Sequence, residues 1–64
     1  MKNRITELRT ERGWTQAGLA QRISVSRQTI NAIETGKFDP SLPVAFRLAK
    51  LFNLTIEELF LDDQ

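Results

Sequence analysis

The chain has 64 residues, 41% of them hydrophobic and 27% charged, the balance of one small globular domain rather than of a disordered segment. It holds no Cys and no His, which excludes disulfide staples and thiolate chemistry and removes the usual general base and the commonest metal ligand. The net charge is only +1, yet residues 1–50 carry all nine Lys and Arg against Glu7, Glu11, Glu34 and Asp39 for a net +5, whereas residues 51–64 carry four acids and no base for a net −4.

A basic body with an acidic end points to a polyanionic partner for the first part of the chain. No apolar segment follows Met1-Lys2-Asn3-Arg4, and no run approaches the roughly 18 apolar residues that span a bilayer. A cytoplasmic protein without a membrane segment is therefore expected. The paired acids Glu57-Glu58 and Asp62-Asp63 are adjacent in sequence, so on a helix they face different directions and form no acid/base pair. Neither enzymatic activity nor a metal, cofactor or small-molecule ligand is expected.

Apolar spacing and turn signals predict five short helices. Ile5 and Leu8 mark the first, over about 2–12, with Gly13 turning the chain out of it. Trp14 precedes the second helix and is expected to pack as a core staple. Thr15 caps that helix, about 16–23, which carries Ala17, Leu19, Ala20 and Ile23. Gly18 lies inside it at a cost of up to about 1 kcal/mol relative to Ala; it either permits a close helix crossing or is simply tolerated. After the break at Ser24-Val25, Ser26 caps a third helix, about 27–35, with Ile30 and Ile33 as its apolar stripe and Gly36 as its left-handed stop.

Lys37 to Pro40 is read as a loop. Ser41 caps the fourth helix, about 42–52, with Pro43 in the first turn where its missing N–H is harmless, and Asn53 takes a left-handed ending. Thr55-Ile56-Glu57-Glu58 is a capping box opening a fifth helix, about 56–61. Asp62 and Asp63 are expected to fray and to oppose the helix dipole there. The fold class is all-α, a compact five-helix bundle in a single domain over residues 1–64.

The segment from Gln16 to Thr35 is the most informative. A helix, the break Ser24-Val25-Ser26 and a second helix, with small Ala20 where helices approach and Val25 able to plug the turn, match the bihelical DNA-reading unit. Trp14-Thr15-Gln16, Leu19-Ala20, Val25-Ser26-Arg27-Gln28-Thr29-Ile30 and Ile33-Glu34-Thr35-Gly36-Lys37 together resemble the Cro/repressor-like (XRE-type) helix-turn-helix regulators. Leu8-Arg9, Gly13-Trp14, Pro40-Ser41-Leu42, Leu48-Ala49 and Thr55 to Phe60 extend the resemblance over nearly the whole chain. Two departures stand out. Ser24 replaces the glycine usual at the start of the turn, and Ala17 and Gly18 stand where acids are frequent.

The resemblance implies a lambda-repressor-like domain that reads double-stranded DNA with the third helix in the major groove. At about 100° per residue, Gln28, Ala32 and Thr35 point away from Ile30 and Ile33, Asn31 points to one side, and Arg27 and Thr29 occupy the shoulders. Arg27, Gln28, Asn31 and Ala32 are the candidate base-reading residues: Arg suits guanine, Gln and Asn suit adenine, and Ala32 allows close approach. Gln16, Thr29 and Lys37 are candidate phosphate contacts, Gln16 with the help of its helix N-terminus; Arg12 and Lys2 are weaker ones. The resemblance also implies a structural ion pair between Arg9 and Glu34.

The fourth helix has more apolar surface than one small core can absorb. Leu42, Ala45, Leu48, Ala49 and Phe52 share an arc that Val44, Leu51 and Phe46 extend to about 220°, against roughly 100° for an ordinary surface helix. A homodimer through Val44, Leu51, Leu54, Phe60 and Leu61 is therefore expected, with the two-fold symmetry that a palindromic operator mirrors. The alternative is an antitoxin-like or adaptor module that binds another protein through the fourth and fifth helices.

Overall fold

A computed structural model describes residues 1–61; the Asp62-Asp63 pair, expected to fray, lies outside the described residues. Five helices form: α1 (Ile5–Glu11), α2 (Gln16–Arg22), α3 (Arg27–Glu34), α4 (Leu42–Phe52) and α5 (Ile56–Leu59). Each start from α2 onward is set by the expected cap. The Thr15 hydroxyl accepts from the Gly18 N–H at 2.9 Å, Ser26 from Thr29 at 3.1 Å and Ser41 from Val44 at 3.4 Å. At Thr55 the capping box is complete: its hydroxyl accepts from the Glu58 N–H at 3.1 Å and its own N–H donates to the Glu58 carboxylate at 2.8 Å. Gly13, Gly36 and Asn53 all take the expected left-handed conformation.

To the expected all-α fold the structure adds one short strand pair at the two ends. Lys2–Asn3 (β1) and Phe60–Leu61 (β2) pair antiparallel, Lys2 opposite Leu61 and Asn3 opposite Phe60. Asn3 is the reason that α1 starts at Ile5 rather than at residue 2. Its side-chain oxygen accepts from the Ile5 N–H at 3.1 Å, and its amide donates to the Ile33 carbonyl at 2.9 Å, so the side chain competes with a helical backbone and ties the first strand to the end of α3. At the other end, Phe60 leaves α5 with extended backbone and enters the core at 7% exposure.

One core joins all five helices and β2: Ile5 and Leu8, Leu19 and Ala20, Ile30 and Ile33, Ala45, Leu48 and Phe52, Leu59 and Phe60. Trp14 is only half-buried. Its ring lies 6.0 Å from that of Phe52, and the Arg22 guanidinium covers it at 4.1 Å. Gly18 is not at a helix crossing. A side chain there would first meet the Thr15 hydroxyl at 3.2 Å and the Arg22 guanidinium at 3.4 Å, and nothing else within 4 Å.

The apolar face of α4 divides differently from the expected arc. Leu42, at the first helical position, projects past the core and is 63% exposed; Phe46, one turn on, is 47% exposed. Val44, Leu51 and Leu54 are half-buried against the core, Phe60 is taken up by it, and Leu61 stays exposed. Phe60 is therefore withdrawn from the expected dimer surface. The exposed strip instead runs from Leu42 to Phe46, bordered by Leu54 and Ile56, which line shallow depressions with them.

The turn between α2 and α3 closes with the Val25 N–H donating to the Ala20 carbonyl at 3.0 Å, which requires Ser24 at φ 61°. A serine held there carries a backbone penalty that glycine avoids. Ser24→Gly is expected to stabilise the fold by about 1 kcal/mol, read as a higher urea midpoint; a lower midpoint would contradict the left-handed turn.

Candidate nucleic-acid interface

The outward face of α3 is polar and carries a single full charge. Arg27, Gln28 and Asn31 are exposed on it, whereas Ala32, expected to point straight outward, is half-buried. Thr35 follows at the C-cap and returns its hydroxyl to the Asn31 carbonyl at 2.9 Å. Thr29 is half-buried, and its hydroxyl lies 2.9 Å from that of Ser26 within the cap. Lys37 is exposed just past Gly36, where its N–H closes the helix end on the Ala32 carbonyl at 3.0 Å.

Beneath this face lies the expected ion pair. The Arg9 guanidinium grips the Glu34 carboxylate with both prongs, Nε to Oε2 at 2.8 Å and Nη2 to Oε1 at 3.2 Å, while Nη1 donates to the Trp14 carbonyl at 2.9 Å. The side chains are 13% and 5% exposed, so little water screens the pair. Two further donors, missed in the sequence, complete the shell: the Thr6 hydroxyl at 2.8 Å and the Gln16 amide at 3.1 Å. Nothing in a linear pattern marks Thr6, an exposed threonine on α1, as such a partner. Helices α1, α2 and α3 thus meet on one carboxylate.

Gln16 extends this shell to the outer face. Its amide nitrogen also donates to Asn31 Oδ1 at 3.2 Å, and its oxygen accepts a long contact from Arg27 at 3.4 Å. The structure therefore brings Gln16, Arg27 and Asn31 together but engages the Gln16 side chain inside the protein. Arg12, another phosphate candidate, folds back: it donates to the Leu8 carbonyl at 3.0 Å and lies over Phe52 at 5.0 Å. No buried side-chain nitrogen or oxygen among the described residues lacks a partner.

Burial pushes the Glu34 carboxyl up, but the hydrogen bonds from Arg9, Gln16 and Thr6, with the Arg9 charge, outweigh it and hold the group below its ordinary 4.5.

A polar helix face set on a second helix by a tight turn defines a helix-turn-helix protein. The family model described as "Helix-turn-helix" matches residues 5–59, and the chain belongs to that family, in its XRE-type branch. It is 50% identical over 66 residues, covering the whole of both chains, to an uncharacterized HTH-type transcriptional regulator of Methanocaldococcus jannaschii. It is 38% identical to the HTH-type transcriptional activator BcrR of Enterococcus faecalis, over 88% of this chain and 28% of that one. It is 36% identical to the cryptic phage CTXphi transcriptional repressor RstR of Vibrio cholerae, over 97% of this chain and 56% of that one. The protein is a transcriptional regulator with a helix-turn-helix DNA-binding domain, and its family is one of DNA-binding regulators rather than enzymes. No helix among the described residues is long and apolar enough to cross a membrane.

Arg9→Ala is expected to lower stability by about 1–3 kcal/mol, because it leaves a buried carboxylate without its main donor. DNA binding should suffer only through folding. Urea unfolding checks the first point, and unchanged melting would remove it. A second expectation concerns acid. The folded pKa of Glu34 lies below 4.5, so the unfolded chain binds the proton first as pH falls. The stabilisation is complete above about 4.5 and is lost as pH drops through the folded value. Glu34→Gln should flatten that part of the stability–pH curve; an unchanged slope would contradict the assignment.

Proposed function

We propose that this regulator binds a palindromic operator in the cytoplasm as a homodimer, inserts α3 in the major groove and represses by occlusion. The observation that carries the proposal is the exposed row Arg27, Gln28 and Asn31 on a helix braced from behind by Glu34. These three side chains are assigned to base edges, with Ala32 at the margin of the approach. Lys37 is assigned to a phosphate as a point charge. Gln16 and Thr29 stand beside the same path, with side chains that hold other groups as well. Repression by occlusion asks only for occupancy of the operator.

Dimerisation is assigned to the strip of Leu42, Phe46, Leu54 and Ile56; Leu61 is exposed elsewhere, beside the end of α3. An exposed apolar strip on a domain this small also fits the alternative, a module that binds another protein. Gln28→Ala separates the two, since it should damage operator binding and leave protein capture intact.

The test is selection from a randomised duplex pool, followed by titration of the enriched site. An inverted repeat with half-sites about one helical turn apart is expected. A dimer touching about 6–10 phosphates should lose about 10³–10⁵ in affinity between 50 and 200 mM salt. Lys37→Ala should lower the salt slope without altering preference, and Phe46→Glu should give a folded monomer with weak binding. A preference change in Lys37→Ala with an unaltered slope would refute its role; absence of any enriched motif from the folded protein would refute operator reading.

A further inference from the structure

Between α4 and the start of α5 lies a shallow depression with an apolar floor and two oppositely charged walls. Phe46 and Lys50 stand on the α4 side, Ile56 and Glu57 on the α5 side, with Leu54 between them. Lys50 and Glu57 are both exposed, and they are the charged side chains of this depression. Among the described residues neither forms an ion pair, with the other or with a third group. The nearby acids are already engaged. Glu58 is closed into its capping box on Thr55, and Asp39, at the Leu42 end of the apolar strip, lies 3.3 Å from the Met1 amino group.

A two-fold dimer lays such a face on a second copy of itself, and the direction of the axis decides which charges meet. An axis running along the depression, between α4 and α5, exchanges its two walls: Lys50 of each copy falls opposite the partner's Glu57. An axis laid across the same depression sets Lys50 on Lys50 and Glu57 on Glu57. An axis across the middle of the strip carries both to its Leu42 end, where Asp39 is already paired. Like charges brought together oppose association, whereas opposite charges steer it and fix its register. We propose that the homodimer axis runs along the α4–α5 depression, with reciprocal Lys50–Glu57 pairs flanking the apolar strip. The inference rests on the assignment of dimerisation to that strip. Its occupant is a second copy of this chain because both halves of the charge match stand on one face of one chain.

The experiment is sedimentation equilibrium of the full chain at low salt, for wild type, Lys50→Glu, Glu57→Lys and an equimolar mixture of the two variants. Lys50 is in the last turn of α4 and Glu57 in the first turn of α5, so both changes oppose a helix dipole, and each variant is first checked for cooperative melting. Each variant alone sets like charges at both pairs, and its dimer dissociation constant should rise at least about tenfold over wild type. In the mixed dimer every new charge meets its opposite, so the mixture should recover the association of wild type. A contact within one chain could not produce that recovery. Added salt should shrink the loss. If either variant fails to fold, Lys50→Gln and Glu57→Gln carry the test: each should weaken the dimer about threefold at low salt and flatten its salt dependence. Charge-reversed or neutral variants that dimerise as tightly as wild type, or a mixture no tighter than either variant alone, overturn this inference and leave the strip dimer standing, since Phe46→Glu tests that separately. A wild type that stays monomeric overturns both.

Discussion

A carboxylate removed almost wholly from water must be met by donors on every side, and in this domain that demand arranges three helices. Glu34 sits at the end of α3 with its side chain 5% exposed. Leaving it unpaired would cost several kcal/mol, a large part of the stability of any domain this small. Arg9 reaches it from α1 with two prongs, Thr6 joins from the same helix, and Gln16 comes from the first residue of α2. These contacts have preferred directions, which apolar packing lacks. The core built on Ile30, Ile33, Leu19 and Leu48 draws the helices together; the carboxylate ties the end of α3 to α1 and to the start of α2.

The rest of the chain keeps that arrangement from loosening. Side-chain caps at Thr15, Ser26, Ser41 and Thr55 stop the short helices from unwinding at their starts. The two-residue strands pair the beginning of the chain with the segment after α5, and Asn3 fastens that pairing to the Ile33 carbonyl, one residue before Glu34. The end of α3 is thus held from two sides, by an ion pair at Glu34 and by an amide at Ile33. Ser24 works in the opposite sense. Its left-handed backbone stores strain in the turn that closes with the Val25 N–H on the Ala20 carbonyl.

Much of this was legible in the residues, and what was not has a physical reason. Helix starts were readable because a cap is a local event: Thr15, Ser26 and Thr55 each bond within three residues. Left-handed stops at Gly13, Gly36 and Asn53 are local too. The strands were not readable, since two residues are too few to alternate and their partners stand at opposite ends of the chain. Helical periodicity placed Leu42 in the buried arc, but a residue in the first turn has no neighbouring turn behind it, and the core ends before reaching it. Phe60 was expected on the apolar face of the fifth helix and at a dimer surface, but it leaves that helix with extended backbone and the domain's own core takes it up at 7% exposure. At the candidate interface the types Arg, Gln and Asn were visible, whereas the Gln16–Asn31 contact spans 15 residues and leaves no pattern in either helix.

The account turns on Glu34 being ionised, buried and bonded from α3 to the two helices α1 and α2, and a carbon-13 NMR titration of its carboxyl group addresses that directly. Its midpoint should fall below the ordinary 4.5, and the Arg9 Nε–H and Gln16 amide proton signals should move with the same midpoint. A midpoint at or above that value, with the Gln16 amide unmoved by it, would contradict the account, and the brace beneath α3 would have to be sought elsewhere.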